Sequence, residues 1–321
     1  MNLPDGLHDF LRDQGWGGAT IEPLPGDASF RRYFRIRRGD ERAMLMHAPP
    51  PTEDPVPFLT VAKWLNANGL RAPEILGDDA PHGWVLIEDF GDDRVREHLD
   101  AHPEEETEVY VAAIDTLVEL RNKPPAAFAP YDAATYLREV DLLPEWWAVE
   151  AKLDVDRDSW TSAWQDVLSP VEARQGQGVV VLRDYHAENI MLPADGSQGL
   201  IDFQDALMGH PAYDLVSLLQ DARRDVSLEL EAAMLDRYMK ATGEGERFLE
   251  DYAVLGAQRN AKIVGIFTRL SRRDGKDRYL DLIPRVWRMM ERDLQAPALA
   301  PVAVWFDRNI PDDIRARGGA L

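Results

Sequence analysis

Val179-Val-Val-Leu-Arg-Asp-Tyr-His-Ala-Glu-Asn-Ile-Met-Leu192, followed after a turn by Leu200-Ile-Asp-Phe-Gln204, is the stretch whose reading decides the fold. The apolar run Val179 to Leu182 predicts a buried strand, and Asp184 lies just past its end, where a carboxylate can face a cleft. Asn189 opens a second apolar segment, Ile190-Met-Leu192. Pro193-Ala-Asp-Gly-Ser-Gln198 then carries an Asp-Gly turn signal, and Gly199-Leu-Ile201 returns. That pattern predicts a short hairpin bringing Asp202 back beside Asn189. A carboxylate on a loop, next to an amide oxygen and a second carboxylate held across a hairpin, suits a hydroxyl-activating base beside a magnesium site.

Upstream of this stretch the first 90 residues read as five strands with one inserted helix. Residues 7 to 15 predict a short amphipathic helix; a first strand at Ile21 to Leu24 leads through a small-residue turn at Gly26 to Ser29 into a second that ends at Arg37, and a third follows at Arg42 to His47. Gly26 and Ser29 in a hairpin tip allow backbone N–H groups to lie over phosphates without side-chain obstruction. The proline-rich connector Ala48 to Pro57 excludes regular structure; after it come a helix, Phe58 to Gly69, and two strands, Pro73 to Leu76 and Gly83 to Phe90. From Val95 onward the pattern is helical, as in residues 104 to 122 and 134 to 150, with a further helix expected from Leu215 to Arg224. Adjacent Trp146 and Trp147 are expected to be buried. The fold class is therefore α+β, with a small strand-rich lobe, residues 1–92, before a larger helical lobe, residues 93–321. Glu88-Asp-Phe-Gly91 falls at the junction, where a ligand cleft is expected.

Composition narrows the partners. A net charge of -21 over 321 residues argues against nucleic acid, which needs a basic face. Zero cysteines exclude disulfides, thiolate catalysis and cysteine-based zinc sites. The first ten residues show no signal-peptide pattern, and no apolar run approaches transmembrane length, so a cytoplasmic protein without a membrane partner is expected. Competing motifs fail: there is no Gly-x-x-x-x-Gly-Lys loop and no His-Glu-x-x-His, and Ser197 lacks the leading glycine of a nucleophile elbow.

Leu182-Arg-Asp-Tyr-His-Ala-Glu-Asn189 and Ile201-Asp-Phe-Gln204 resemble the catalytic loop and metal-binding segment of the protein-kinase-like two-lobe fold. His210-Pro-Ala-Tyr-Asp-Leu215 is similar to the aminoglycoside phosphotransferase branch of that fold. Within the branch, Gly26-Asp-Ala-Ser-Phe-Arg-Arg-Tyr-Phe34, the Leu182 to Asn189 loop and residues 202 to 225 most resemble the anomeric N-acetylmuramate and N-acetylglucosamine kinases of bacterial cell-wall recycling. The resemblance implies an antiparallel N-lobe that binds ATP and a helical C-lobe that binds the acceptor. Asp184 becomes the base or hydroxyl-orienting group, with Asn189 and Asp202 as ligands of Mg2+. The Gly26 to Ser29 turn is implied to cover the phosphates, with backbone near Glu88 and Phe90 meeting adenine, while Asp214 braces the catalytic loop.

Two departures from the family pattern bear on the chemistry. Leu182 stands where such loops usually carry a structural histidine, and Met44-Leu-Met-His47 lacks the phosphate-binding lysine of the third strand, as helix 58–68 lacks a glutamate to pair with one. Phosphate neutralisation is expected from Arg31 or Arg32 instead. For the acceptor, His186, Asp205 and Arg224 are the candidates nearest the catalytic segment in sequence. Two other readings stand beside the amino-sugar kinase: a kinase of another small hydroxyl compound, aminoglycoside or choline-like, and a nucleotide-binding pseudokinase. The joint presence of Asp184, Asn189 and Asp202 weighs against the second.

Overall fold

The structure is a computed structural model that describes residues 3–25 and 31–321, so the expected turn with Gly26 and Ser29 lies outside the described residues. The chain begins with α1 (Leu7–Asp13), β1 (Thr20–Pro23), β2 (Arg32–Arg38), β3 (Glu41–His47), α2 (Val56–Ala67), β4 (Ile75–Asp79), β5 (Trp84–Glu88) and α3 (Val95–Ala101). It continues with α4 (Glu106–Arg121), α5 (Ala133–Val140), α6 (Arg157–Gln175), β6 (Val179–Val181), β7 (Ile190–Met191), β8 (Gly199–Leu200) and β9 (Leu207–Gly209). The remaining elements are α7 (Ala212–Leu219), α8 (Leu228–Thr242), α9 (Arg247–Asp274), α10 (Ile283–Asp293), α11 (Ala300–Asn309) and α12 (Asp312–Ala316). Two compact units emerge: Met1–Pro103 with Glu188–Ala206, and Glu104–Ala187 with Leu207–Leu321. Beside the linear division at residue 92, this grouping carries the hairpin with Asn189 and Asp202 back to the first unit.

The first unit is built on an antiparallel sheet in the order β1-β2-β3-β5-β4. Alternation along β2 decides its faces: Phe34 and Ile36 are fully buried in a cluster with Ala43, Leu45, Trp84 and Leu86, against Leu7, Phe10 and Leu11 of α1. Burying each large apolar side chain is worth roughly 1.5–3 kcal/mol, so a one-residue register slip, which would expose the whole set, is strongly disfavoured. Tyr33 and Arg35 consequently take the opposite face. Arg35, 6% exposed, is tolerated there because Asp89 and Asp92 meet its guanidinium at 2.8 Å each and Gly91 O accepts at 3.2 Å.

In the second unit α9 is the axis. Its 28 residues span about 42 Å, and most of its turns are buried against α5, α7 and α10. The expected helix over residues 134–150 begins as α5 and passes through a single π turn at Leu143–Ala148 that includes Pro144; of the two tryptophans expected to be buried there, Trp147 is fully buried and Trp146 only half-buried. The helix expected to reach Arg224 stops at Leu219 instead. Asp221 accepts the N–H of Arg223 at 2.8 Å, and this side-chain turn replaces the next helical bond. Among the described residues no helix is long and apolar enough to cross a membrane.

Candidate active site

In the second unit, β6 pairs antiparallel with β9 (Val180 opposite Met208), and the chain leaves β6 directly into the Asp184 loop. Nearly every neighbour of Asp184 in this loop is anchored. Asp214, 2% exposed at the start of α7, accepts the N–H groups of Leu182 at 2.7 Å and Arg183 at 2.8 Å. Arg183 sits at φ 71, a conformation that an L-residue adopts at a cost of roughly 1–2 kcal/mol and that these two bonds hold in place. Its guanidinium pairs with Glu139 and lies 5.4 Å over the Tyr131 ring. Tyr185 donates its hydroxyl to Ala113 O at 2.9 Å, and Ala187 N–H reaches Asp221 at 3.3 Å. Asp214 thus braces the loop, the role the resemblance implied for it.

Asp184 itself keeps 44% of its side chain exposed. Arg259 Nη2 stands 3.8 Å from its Oδ1 while also donating to Ser217 Oγ at 2.8 Å. Burial pulls the Asp184 carboxyl upward, but Lys262 and then Arg259 outweigh that pull and hold it below the usual carboxylate range. Water at the open edge of the side chain moderates both influences, and the direction leaves the group ionised at neutral pH. Lys262 is held in turn by Glu139 at 2.9 Å and by the Tyr213 hydroxyl at 3.4 Å. Glu139, 6% exposed, therefore serves two cations, Arg183 and Lys262, and accepts from Gln258 at 3.1 Å as well. Behind the carboxylate of Asp184 lies a nearly buried network of alternating charge.

The sequence reading did not find Arg259, Lys262 or Glu139. The available signal was Gln258-Arg259-Asn260, three consecutive polar residues within the apolar pattern of α9. All three are buried, because α9 is enclosed on most of its circumference at this point.

In the first unit, β7 and β8 form the expected hairpin, with Ile190 opposite Leu200, and Ile201 N–H extends the ladder to Asn189 O at 3.1 Å. Asn189 and Asp202 are brought together: Asn189 Nδ2 lies 3.4 Å from Asp202 Oδ2, and Gln204 Nε2 donates to Asp202 Oδ1 at 3.0 Å. Asp202 adopts φ 58, which turns its carboxylate out of the strand direction. A carboxylate and an amide whose oxygen and nitrogen exchange places by rotation supply hard oxygen donors, the set magnesium takes together with phosphate oxygens and water. The residues present fit that ion.

The hairpin is fastened to its own unit by several contacts. Phe203 stacks on Phe58 of α2 with ring centroids 5.1 Å apart. Leu200 N–H donates to Arg71 O at 2.7 Å, and Leu192 N–H to Asp93 O at 2.8 Å. Phe90 packs so closely on Gly199 that a Cβ there would stand 2.5 Å from the ring, which requires the glycine. Arg71 lies 4.6 Å over Phe90 and pairs with Glu88 at 2.6 Å and Asp195 at 3.1 Å. The side chains of Glu88 and Phe90 are thus occupied in joining hairpin to sheet, and Glu88 N–H is taken by Glu74 O at 2.9 Å.

Of the acceptor candidates, His186 is 5% exposed in the second unit. Burial pushes its imidazole down to about 4, against the opposing pull of Asp221, so it is neutral at ordinary pH. Arg223 Nη1 lies 3.4 Å from Nε2; since arginine only donates, Nε2 accepts and the ring proton belongs on Nδ1. Arg224 is paired with Glu106 at 2.7 Å and its side chain is 12% exposed. Asp205 is exposed in the first unit. Arg31 pairs with Glu53 at 3.3 Å, and Arg32 lies 5.1 Å over the Phe34 ring.

The sequence profile described as the phosphotransferase enzyme family matches residues 20–253. A protein of Caulobacter vibrioides named N-acetylmuramate/N-acetylglucosamine kinase is 38% identical, over 95% of this chain and 96% of its own length. One of the same name from Pseudomonas aeruginosa is also 38% identical, over 89% and 88%. Among solved structures, an ADP-bound aminoglycoside phosphotransferase superposes with a TM-score of 0.61 at 14% identity, covering 92% of this chain and 98% of that one. The choline kinase of Cryptosporidium parvum gives 0.61 at 12% identity, covering 90% and 93%. These two likenesses establish the protein-kinase-like fold.

Proposed function

The chain belongs to the phosphotransferase enzyme family, and from that premise we propose that it transfers the γ-phosphoryl group of ATP to the anomeric hydroxyl of N-acetylmuramate or N-acetylglucosamine, yielding a sugar 1-phosphate for cell-wall recycling in the cytoplasm. The acceptor rests on relatives that bear that name at 38% identity across most of their length. For the reaction, the observation that carries the reading is Asp184: an accessible carboxylate, ionised beside Lys262 and Arg259, on a loop fixed by its neighbours.

In this reading Asp184 accepts a hydrogen bond from the acceptor hydroxyl and takes its proton as the oxygen bonds to the γ-phosphorus. The bond from that phosphorus to the bridging oxygen breaks, and ADP carries the electron pair away. Orientation supplies much of the effect, because the braced loop spends no further entropy on placing the base. Magnesium, when bound, neutralises phosphate charge that a protein of net charge -21 would otherwise repel, and Asn189 and Asp202 are the residues that would hold it. The first unit would carry the nucleotide, with Gly26, Ser29, Arg31, Arg32 and the Glu88–Phe90 backbone around it. The second would carry the acceptor, for which His186, Arg224 and Asp205 are the candidate contacts.

The direct experiment incubates the protein with ATP, magnesium and N-acetylmuramate, N-acetylglucosamine, choline or kanamycin, and identifies products by mass and 31P NMR. A sugar 1-phosphate from an N-acetyl sugar is the expected result. Phosphorylation of choline or kanamycin alone would replace the acceptor, and ATP binding without any product would revive the pseudokinase.

A further inference from the structure

The third strand holds Met44 and Met46 where a kinase of this fold carries a phosphate-binding lysine, yet a cation paired with a carboxylate is present close by. Arg31 Nε stands 3.3 Å from Glu53 Oε2, and the two side chains are only 13% and 16% exposed. Glu53 belongs to the proline-rich connector, whose backbone is set by Glu53 N–H donating to Pro49 O at 3.1 Å and Val56 N–H to Asp54 Oδ1 at 2.9 Å. Three residues on, α2 begins, and its first turn carries the Phe58 that stacks on Phe203, the residue after Asp202. Arg31 is therefore tied to the end of α2 that meets the metal-binding segment.

Tyr33 stands in the same neighbourhood. It lies opposite Met46 in the β2–β3 register, with its hydroxyl 3.5 Å from Met46 Sδ. Burial raises its phenol, Arg31 lowers it, and Asp202 and Glu53 both raise it, so all three charged groups act on one hydroxyl. Successive residues of a strand point to opposite faces. Arg32, accordingly, lies over Phe34, on the face of the α1 cluster.

We propose that the Arg31–Glu53 pair replaces the lysine–glutamate pair of other kinases: Glu53 orients Arg31, whose guanidinium meets the ATP phosphates beside Asp202. The inference rests on the ATP-dependent reading above and deepens it. Arginine at this place offers a planar fork to two phosphate oxygens, which a strand lysine cannot. Glu53 is a positioning residue, acting only through Arg31.

Calorimetric binding of a non-hydrolysable ATP analogue and of adenosine, with magnesium present, tests this on the wild type, Arg31→Ala, Glu53→Gln and the Arg31→Ala/Glu53→Gln double variant. Arg31→Ala is expected to weaken the analogue by about tenfold or more, as loss of a charge-assisted bond does, and to leave adenosine unchanged. Glu53→Gln should weaken the analogue in the wild-type background and add nothing to Arg31→Ala. Unchanged analogue affinity in Arg31→Ala would overturn the proposal. So would equal losses of adenosine and analogue, or additive losses in the double variant, since either marks a merely structural pair. A wild type that binds neither compound removes the ATP-dependent reading and the proposal together, whereas a wild type that binds both leaves that reading standing whatever the variants do.

Discussion

Replacing Asp214 by alanine removes the acceptor of two buried backbone N–H groups at once, those of Leu182 and Arg183. Each orphaned donor costs roughly 1–3 kcal/mol, so the sum is about 2–6 kcal/mol. Part of this is offset, because burial pushes the Asp214 carboxyl up to about 7 despite both N–H donors, and alanine relieves the cost of burying an acid that must ionise. A net loss of about 2–4 kcal/mol is expected at neutral pH. Asp214→Asn keeps one acceptor oxygen and should lose roughly half as much. The sign of the pH dependence follows from the raised value. The folded state holds this proton more tightly than the unfolded chain, so the contribution of Asp214 is full below the ordinary carboxylate range and is lost as pH rises through about 7. The stability gap between wild type and Asp214→Asn should therefore narrow from pH 5 to pH 8. Urea unfolding of the three proteins across that range measures it, with kcat as the second readout, because Arg183 at φ 71 relaxes when its N–H loses its acceptor and Asp184 moves with it. An alanine variant less than about 1 kcal/mol below wild type, with kcat unchanged, would refute the brace.

Three further outcomes follow from the site. Arg259→Gln removes a cation 3.8 Å from Asp184, so the Asp184 carboxyl should rise and the acid limb of the kcat/KM profile should move to higher pH; Arg259→Lys, which keeps the charge, should move it less. His186, pushed down to about 4, stays neutral over the working range; its contribution to stability is present above the unfolded value near 6.5 and lost as pH falls through about 4. Its 15N spectrum should accordingly show one neutral tautomer between pH 5.5 and 9, and an imidazolium signal at pH 6 would contradict this. Asp202→Asn takes away the only formal charge of the Asn189–Asp202 pair, and half-saturating magnesium should rise by about tenfold or more in a titration of activity at fixed ATP.

How much of this was readable beforehand varied with the distance over which each contact acts. The β7–β8 hairpin and the meeting of Asn189 with Asp202 were readable, since alternation and an Asp-Gly turn are local signals. The five-stranded sheet and the burial of Trp147 were readable for the same reason. The end of α7 at Leu219 was not, because it depends on the side chain of Asp221 competing for backbone N–H groups, and apolar periodicity is blind to that. Nor was the attachment of the hairpin to the first unit, which depends on Phe58, Arg71 and Phe90, residues more than a hundred positions upstream. Arg259 and Lys262 reach Asp184 from α9, more than seventy residues downstream; their polar types marked a buried site without naming its partner. Glu53 was not legible either, because it stands in the proline-rich connector just before α2, outside any periodic element.

The role of Asp184 is tested most directly by comparing wild type with Asp184→Asn in one experiment: transfer of the γ-phosphoryl group from ATP to N-acetylmuramate with magnesium, read as sugar 1-phosphate by 31P NMR, beside calorimetric affinity for the non-hydrolysable ATP analogue. With Asp184 as the group that receives the hydroxyl proton, turnover should fall by roughly 10²–10⁴-fold while nucleotide affinity stays at the wild-type value. An asparagine variant that makes the same product at the wild-type rate would contradict it.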